Sequence, residues 1–148
     1  MVTLSTLRIK AVLENVPTAI DFVAHSARVA GFDGHALYEI QVAVDEACAN
    51  VVCHAYAGLE AGDMEVSCTI TKEGTGDSPA FVIRVRDWGA SFDPEAVAVP
   101  DVTLPLEQRP LGGLGLYLIY RFMDRVQFSF DPQLGNELTM VKRLPGVV

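Results

Sequence analysis

The spacing of apolar residues changes after the second predicted helix, and that change constrains the fold more than any other feature. In the first third, apolar residues recur every three or four positions, as on the buried face of a helix. From Met64 to Ile70 they alternate with polar residues, as in a strand that buries one side. Helices placed early and strands placed late favour an α+β fold, with helices on one face of a mainly antiparallel sheet.

Five strands and three main helices are predicted from these patterns. The strands cover 4–13, 64–70, 80–86, 126–130 and 138–143, and the helices cover 17–31, 33–56 and 114–125. Asp33 is a plausible N-cap, and "DPQLGN" is the predicted turn of the last hairpin. We expect a two-layer sandwich in which three helices cover one face of a mainly antiparallel, mixed five-stranded sheet. The long segment 89–111 carries four prolines and is predicted to be irregular.

Length, charge and cysteine usage narrow the class of protein. The chain has 148 residues, a net charge of −8 and no linker that would divide it, so one domain over 1–148 is expected. An acidic chain repels phosphate backbones, which argues against direct nucleic-acid binding. Three cysteines without CxxC spacing favour a reduced, cytoplasmic protein over a disulfide framework. The absence of a long apolar run indicates that the chain does not span a membrane.

A carboxylate and an amide share one face of the second predicted helix. Glu46 and Asn50 are four residues apart, and His54 continues that face. An amide oxygen suits Mg²⁺, which takes few protein ligands beside water and phosphates, and a carboxylate can serve as a general base. The alternative is a polar helix edge without chemistry, because this spacing alone is common.

Three glycines lie just before the third predicted helix. Gly112, Gly113 and Gly115 would let backbone amides approach an anion at a helix N-terminus, so phosphate binding is predicted. The segment is neither a Walker loop nor a Rossmann fingerprint, since no Gly-Lys-Ser/Thr follows and Leu118 stands where a third glycine is required. A flexible hinge without a ligand is the alternative.

An acid and a glycine follow the predicted strand 80–86. They are Asp87 and Gly89 in "VRDWGASFDP". Asp87 can accept a hydrogen bond from an exocyclic amine such as that of adenine. Gly89 would let a flat ring lie close to the backbone. Alternatively, Asp87 is a turn acid that binds its own backbone.

The order of these motifs resembles a known fold. "VDEACANVVCHAY", "VRDWGASFDP" and "LGGLGLYLIYRFMD" are together similar to the ATP-binding fold of gyrase, MutL, heat-shock chaperones and sensor histidine kinases. They resemble most closely the anti-sigma-factor serine kinases of bacterial partner-switching systems. The resemblance covers about residues 4–144.

The resemblance implies a role for each matching residue. Asn50 would hold Mg²⁺, Glu46 would be the general base, and Asp87 would bind the adenine amine above Gly89. An ATP lid would cover about 93–113, and Arg109 within it is a candidate ligand of the terminal phosphate. The remaining cofactor-binding candidates belong to the glycine motif, namely Gly112, Gly113, Leu114, Gly115 and Leu116. Family members often carry a threonine near the start of the last strand, where this chain has Asn136, so a contact from that strand is left open.

The implied function combines an enzyme and a regulator. The chain would be an ATP- and Mg²⁺-dependent serine/threonine-protein kinase that phosphorylates a small STAS-type anti-sigma factor antagonist. It would also hold a sigma factor, or a comparable output protein, inactive. Dimerisation is plausible by resemblance. The alternative is a nucleotide-binding module of a partner switch that lacks kinase activity.

Overall fold

The elements lie close to where the sequence places them. The structure, a computed structural model, describes residues 2–71, 78–90 and 113–146. Its main elements are β1 (Val2–Lys10), α1 (Val16–Val29), α2 (Gly34–Asn50), β2 (Asp63–Thr71), β3 (Ala80–Asp87), α3 (Gly113–Phe122), β4 (Arg125–Asp131) and β5 (Gly135–Arg143). A short 3₁₀ turn covers Leu13–Asn15, and α2 continues as a π-helical turn over Val51–Ala55.

The strands form one sheet in the order β1-β2-β3-β5-β4. All four pairings between neighbours are antiparallel, which confirms the predicted α+β class and leaves no parallel pair among the described strands. Because β3 lies in the middle of the sheet, six of its eight residues are buried. The last residue of this central strand is Asp87, so the fold places that carboxylate at the edge of the core.

The helices cover one face of the sheet. Ile83 on β3 is fully buried, and the core around it includes residues of all three helices: Val23, Ile40, Val44 and Ile119. Burying side chains of this size from both layers supplies most of the stabilisation of such a sandwich. On the opposite face, the described residues form a small separate cluster of Ala80, Val82 and Val141, beside an ion pair between Arg86 and Glu137.

The first strand ends earlier than predicted. β1 stops at Lys10, which pairs with Asp63 at the start of β2, and beyond it the Ala11 amide still donates to the Gly62 carbonyl at 2.8 Å. Leu13, predicted to end the strand, lies in the 3₁₀ turn and is exposed. Similarly, α3 ends at Phe122 instead of 125, because Arg125 already pairs with β5.

The last hairpin has a shorter turn than predicted. The Asp131 carboxylate accepts hydrogen bonds from the backbone N–H groups of Gln133 and Leu134, at 2.8 and 2.9 Å. This closes the turn over 132–134, and β5 starts at Gly135, whose φ of +88° favours glycine. Asn136 therefore lies in a strand and not in the turn, and this shift brings it opposite Asp87.

Within the described ranges, no helix combines the length and the apolar character that crossing a membrane requires.

Candidate functional site

Asp87 is held at the end of β3 by contacts from two directions. Its Oδ1 atom accepts a hydrogen bond from the backbone N–H of Gly89 at 2.9 Å and another from the Asn136 side-chain amide at 2.8 Å. The first contact is the local turn that the sequence offered as an alternative. The second comes from the neighbouring strand and fixes the carboxylate further, while no contact among the described residues engages Oδ2. Asp87 is only 7% exposed, so its position is set by the protein and not by solvent.

The orientation of the Asn136 amide is decided by its neighbours. Three acceptors surround its nitrogen: the Asp87 carboxylate, the Gly89 carbonyl at 3.2 Å and the Ala90 carbonyl at 3.0 Å. Only an amide nitrogen can donate to all of these groups, so the oxygen must point the other way. That oxygen, Oδ1, is buried and has no hydrogen-bond partner among the described residues.

The turn after β3 packs directly on the end of the second helix. The backbone N–H of Ala90 donates to the Ala55 carbonyl at 2.7 Å, which satisfies a carbonyl at the end of the π-helical turn. A Cβ atom at Gly89 would overlap that carbonyl. Gly89 is thus required here for close backbone approach, although its near neighbour in the structure is Ala55 and not a ring. The predicted helix to Tyr56 is correct in extent, but its last turn is π-helical.

A tyrosine links this turn to the sheet. The Tyr56 hydroxyl accepts a hydrogen bond from the Trp88 backbone N–H at 3.0 Å and donates one to the Asp63 carbonyl at 2.7 Å. Burial raises the pKa of Tyr56, so the hydroxyl keeps the proton that it donates. The Trp88 ring lies outside this link, 38% exposed, with the Arg8 guanidinium 4.5 Å above its centre.

These elements enclose a cavity of about 110 Å³ between α2, β3 and the last hairpin. Its walls are largely apolar, with side chains such as Val85 and Leu138. The polar residues that line it come from both helical and strand elements: Asn50, His54, Asp87, Ser129, Asn136 and Glu137. Apolar walls with a few converging polar groups are typical of small-molecule sites.

Glu46 lies beside the start of α3 and does not line the cavity. A Cβ atom at Gly115 would overlap its carboxylate oxygen Oε2, so this glycine lets α3 approach the carboxylate. The pKa of Glu46 is raised, mainly by partial burial and to a smaller extent by the negative charge of Asp45. A carboxylate with a raised pKa beside a cavity has the character of a proton acceptor, since it binds a proton more readily at neutral pH.

The structure covers the predicted site in part. It brings Asn50 and Asp87 to the lining of one cavity, and it places Gly89 against Ala55 and Glu46 against Gly115. Gly113 and Leu114 begin α3, one residue before the predicted start, and Leu116 is buried. Arg109, Gly112 and the predicted lid up to residue 112 lie outside the described residues.

The cysteines do not form a metal site within the described ranges. Burial raises the pKa of Cys48 to about 12 and that of Cys68 to about 11, so both thiols stay protonated. No group of three or more His, Cys, Asp or Glu side chains in the described residues could hold a metal ion.

Comparison with known proteins decides the family. The family model described as "Histidine kinase-like ATPase domain" matches residues 9–142. The chain belongs to this family. It is 35% identical over 138 residues to a serine-protein kinase RsbW of Listeria monocytogenes. The aligned residues make up 90% of this chain and 84% of that relative. It is 32% identical over 129 residues to a serine-protein kinase RsbW of Bacillus cereus. Here the aligned residues make up 84% of this chain and 76% of the relative.

For this histidine kinase-like ATPase domain, sequence reasoning left a contact from the Asn136 region open and placed Asn136 at the end of the predicted hairpin turn. Asn and Gly in "LGN" are typical turn residues, and they hid a strand position that pairs with Asp87. The available signal was the register: aligning Val85 with Leu138, the buried pair nearest the end of each strand, places Asn136 opposite Asp87.

We expect Gly89→Ala to destabilise the protein by about 1–3 kcal/mol, the usual cost of forcing extra atoms into packed structure. The added methyl group overlaps the Ala55 carbonyl and must break its bond to Ala90. Urea unfolding measures this change. Ala57→Ser is the matched control, because it adds one atom at an exposed site nearby and should stay within about 0.5 kcal/mol of the unmodified protein. Equal stability of the two variants would contradict the close contact.

Proposed function

We propose that this protein binds Mg-ATP in the cavity beside Asp87 and transfers the γ-phosphoryl group to a serine or threonine of a small protein. The observation that carries the proposal is the Asp87 carboxylate, fixed through Oδ1 at the cavity edge in a chain that matches the ATPase family over 9–142. A carboxylate oriented in this way is suited to accept a hydrogen bond from an adenine amine.

The residues present fit an adenine nucleotide. The apolar walls suit a flat base, and Asp87 supplies a charged acceptor for its amine. The start of α3 carries Gly113, Leu114, Gly115 and Leu116, and its N-terminal amides are proposed to bind phosphate oxygens together with Gly112. Arg109 is proposed as a ligand of the terminal phosphate, and residues 93–113 are proposed as the lid over the nucleotide. Both belong to one proposed domain over 1–148.

Asn50 is proposed as the magnesium ligand. It lines the cavity and no hydrogen bond within the described ranges engages its side chain. The metal would neutralise phosphate charge in the transferring group, which is a large part of catalysis in phosphoryl transfer. Asn50 would contribute one neutral oxygen and leave the other positions to phosphate and water.

Glu46 is proposed as the general base. Its raised pKa favours taking a proton from the attacking hydroxyl, and α3 approaches it closely at Gly115. The rate of transfer should fall as the pH drops through the raised pKa of Glu46. The protonated carboxyl cannot accept the hydroxyl proton, so the sign of this dependence is fixed.

The partners are proposed from the relatives and from charge. RsbW-type relatives support a STAS-type anti-sigma factor antagonist as the phosphorylated protein and a sigma factor, or comparable output protein, as the protein that is held inactive. The net charge of −8 supports an action on proteins without direct binding to nucleic acid. We also propose a cytoplasmic location, no membrane contact and a possible homodimer.

One observation favours a second function, a nucleotide-switched binding module without transferase activity. Glu46 packs against the start of α3 and lies outside the cavity lining, as a residue that only positions α3 would. The two functions differ in whether any partner gains phosphate.

Glu46→Gln should retain ATP binding and slow transfer by about 10²–10⁴-fold, the usual size of a general-base effect. The tagged protein is presented with lysate of its source organism and Mg-ATP or Mg-ADP, and mass spectrometry identifies captured proteins and phosphorylated serines or threonines. Glu14→Gln is the matched control, because it makes the same change at an exposed carboxylate in the 3₁₀ turn Leu13–Asn15. Transfer at the unmodified rate by Glu46→Gln contradicts the base assignment, and partners without phosphate favour the binding module.

Asn50→Ala should weaken Mg-ATP binding by at least about tenfold, as loss of groups around a bound metal typically does, and leave metal-free ATP binding nearly unchanged. Calorimetric titration with and without Mg²⁺ measures both affinities. The control is Gln133→Ala, which removes an amide from the exposed turn between β4 and β5. If Mg²⁺ raises the ATP affinity of Asn50→Ala as much as it raises that of the unmodified protein, Asn50 is not the metal ligand.

A further inference from the structure

A lysine on β5 ties the end of α3 to α2. The Lys142 ammonium donates a hydrogen bond to the carbonyl of Phe122, the last residue of α3, and lies 3.5 Å from the Glu39 carboxylate of α2. The side chains of Lys142 and Glu39 are only 12% and 21% exposed. A charged group that is mostly buried needs partners, and this lysine takes one from each of two helices.

This contact has a counterpart near the other end of α3, where Gly115 lies against the Glu46 carboxylate. Gly115 and Phe122 are seven residues apart on α3, and Glu46 and Glu39 are seven residues apart on α2. Because seven residues make about two helical turns, both carboxylates lie on one face of α2. The two helices thus pack antiparallel, and the position of α3 along α2 is set at two matching points.

Apolar packing and the turn after α3 do not replace this link. Ile119 is fully buried and holds α3 against the core, but apolar contacts have no preferred direction. The turn is bound to β5 through Asp124, whose backbone N–H donates to the Val141 carbonyl and whose carboxylate accepts from the Arg143 N–H. Without Lys142, α3 would keep this tether beyond its C-terminus, and a rotation about it would displace the start of the helix most.

We propose that Lys142 is a positioning residue of the nucleotide site, which holds α3 at the place along α2 where its first turn binds phosphates beside Glu46. This inference rests on the proposed function, in which amides at the start of α3 bind phosphate oxygens. Lys142 does not line the cavity beside Asp87, and it contacts α3 at the end opposite the glycines. Its effect on a nucleotide therefore passes through α3 and is confined to the phosphates.

The test compares adenosine, ADP and Mg-ATP, which differ in their phosphates, by calorimetric titration. Lys142→Met keeps an aliphatic side chain and loses the donor. The dissociation constants for ADP and Mg-ATP should rise by roughly tenfold, the size of one hydrogen bond to a charged group, while that for adenosine stays within about twofold. Equal weakening of all three ligands would show that Lys142 only supports the overall structure, and it overturns the proposal. Unchanged affinities for ADP and Mg-ATP overturn it as well.

A double variant separates the lost hydrogen bond from a leftover charge. Lys142→Met alone leaves the Glu39 carboxylate mostly buried without its cation, which is destabilising, whereas replacing both members of such a pair by apolar side chains is often neutral. Glu39→Met combined with Lys142→Met should therefore fold and keep the selective loss for ADP and Mg-ATP, because the Phe122 carbonyl still lacks its donor. A double variant that binds these two ligands as the unmodified protein does would assign the effect to the unpaired carboxylate and overturn the proposal.

Arg143→Met is the matched control. It removes the same charge from the next residue of β5, which is exposed, so it accounts for any long-range attraction of the phosphates and should bind all three ligands as the unmodified protein does. Thermal unfolding confirms that each variant is folded. An unmodified protein that binds none of the three ligands overturns the proposed function, and the role of Lys142 with it. An unmodified protein that prefers Mg-ATP to adenosine, with the same preference in Lys142→Met, overturns the role of Lys142 alone.

Discussion

The hydrogen bond between Asp87 and Asn136 is the interaction on which the site depends. It joins the ends of β3 and β5, and the Asn136 nitrogen extends it to the carbonyls of Gly89 and Ala90. The carboxylate is thereby fixed before any ligand arrives, so a ligand would not have to offset the entropy of ordering it.

Two contacts then bring the helices to this fixed point. The Ala90 amide binds the Ala55 carbonyl, and the absence of a side chain at Gly89 permits that approach. At the other end of the site, Gly115 permits α3 to approach Glu46. Both contacts join elements far apart in sequence, and each relies on a glycine. The cavity is thus a product of tertiary packing, with polar groups from α2, β3 and β5 around one volume.

The sequence predicted the elements well because their cause is local. The alternation from Met64 to Ile70 and the helical spacing around Val44 reflect which side of each element is buried, and both elements occur as expected. Asp87 and Gly89 were identified because an acid and a glycine after an apolar strand are unusual. Asn136 was placed in the predicted turn because its strand character comes from pairing with β3, and the π-helical turn at Val51–Ala55 ends on the carbonyl that binds the Ala90 amide. Neither contact can be read from neighbouring residues.

The most direct test of the account is whether a nucleotide binds beside Asp87. Trp88 is the only tryptophan in the chain and adjoins Asp87, so its fluorescence reports on this position. We expect a saturable change in emission on titration with Mg-ATP, which Asp87→Asn should abolish by replacing a charged acceptor while the protein remains folded. Asp21→Asn, the same change at an exposed site on α1, should behave as the unmodified protein does. Saturable binding of equal affinity in folded Asp87→Asn, or no binding by the unmodified protein, would contradict the account.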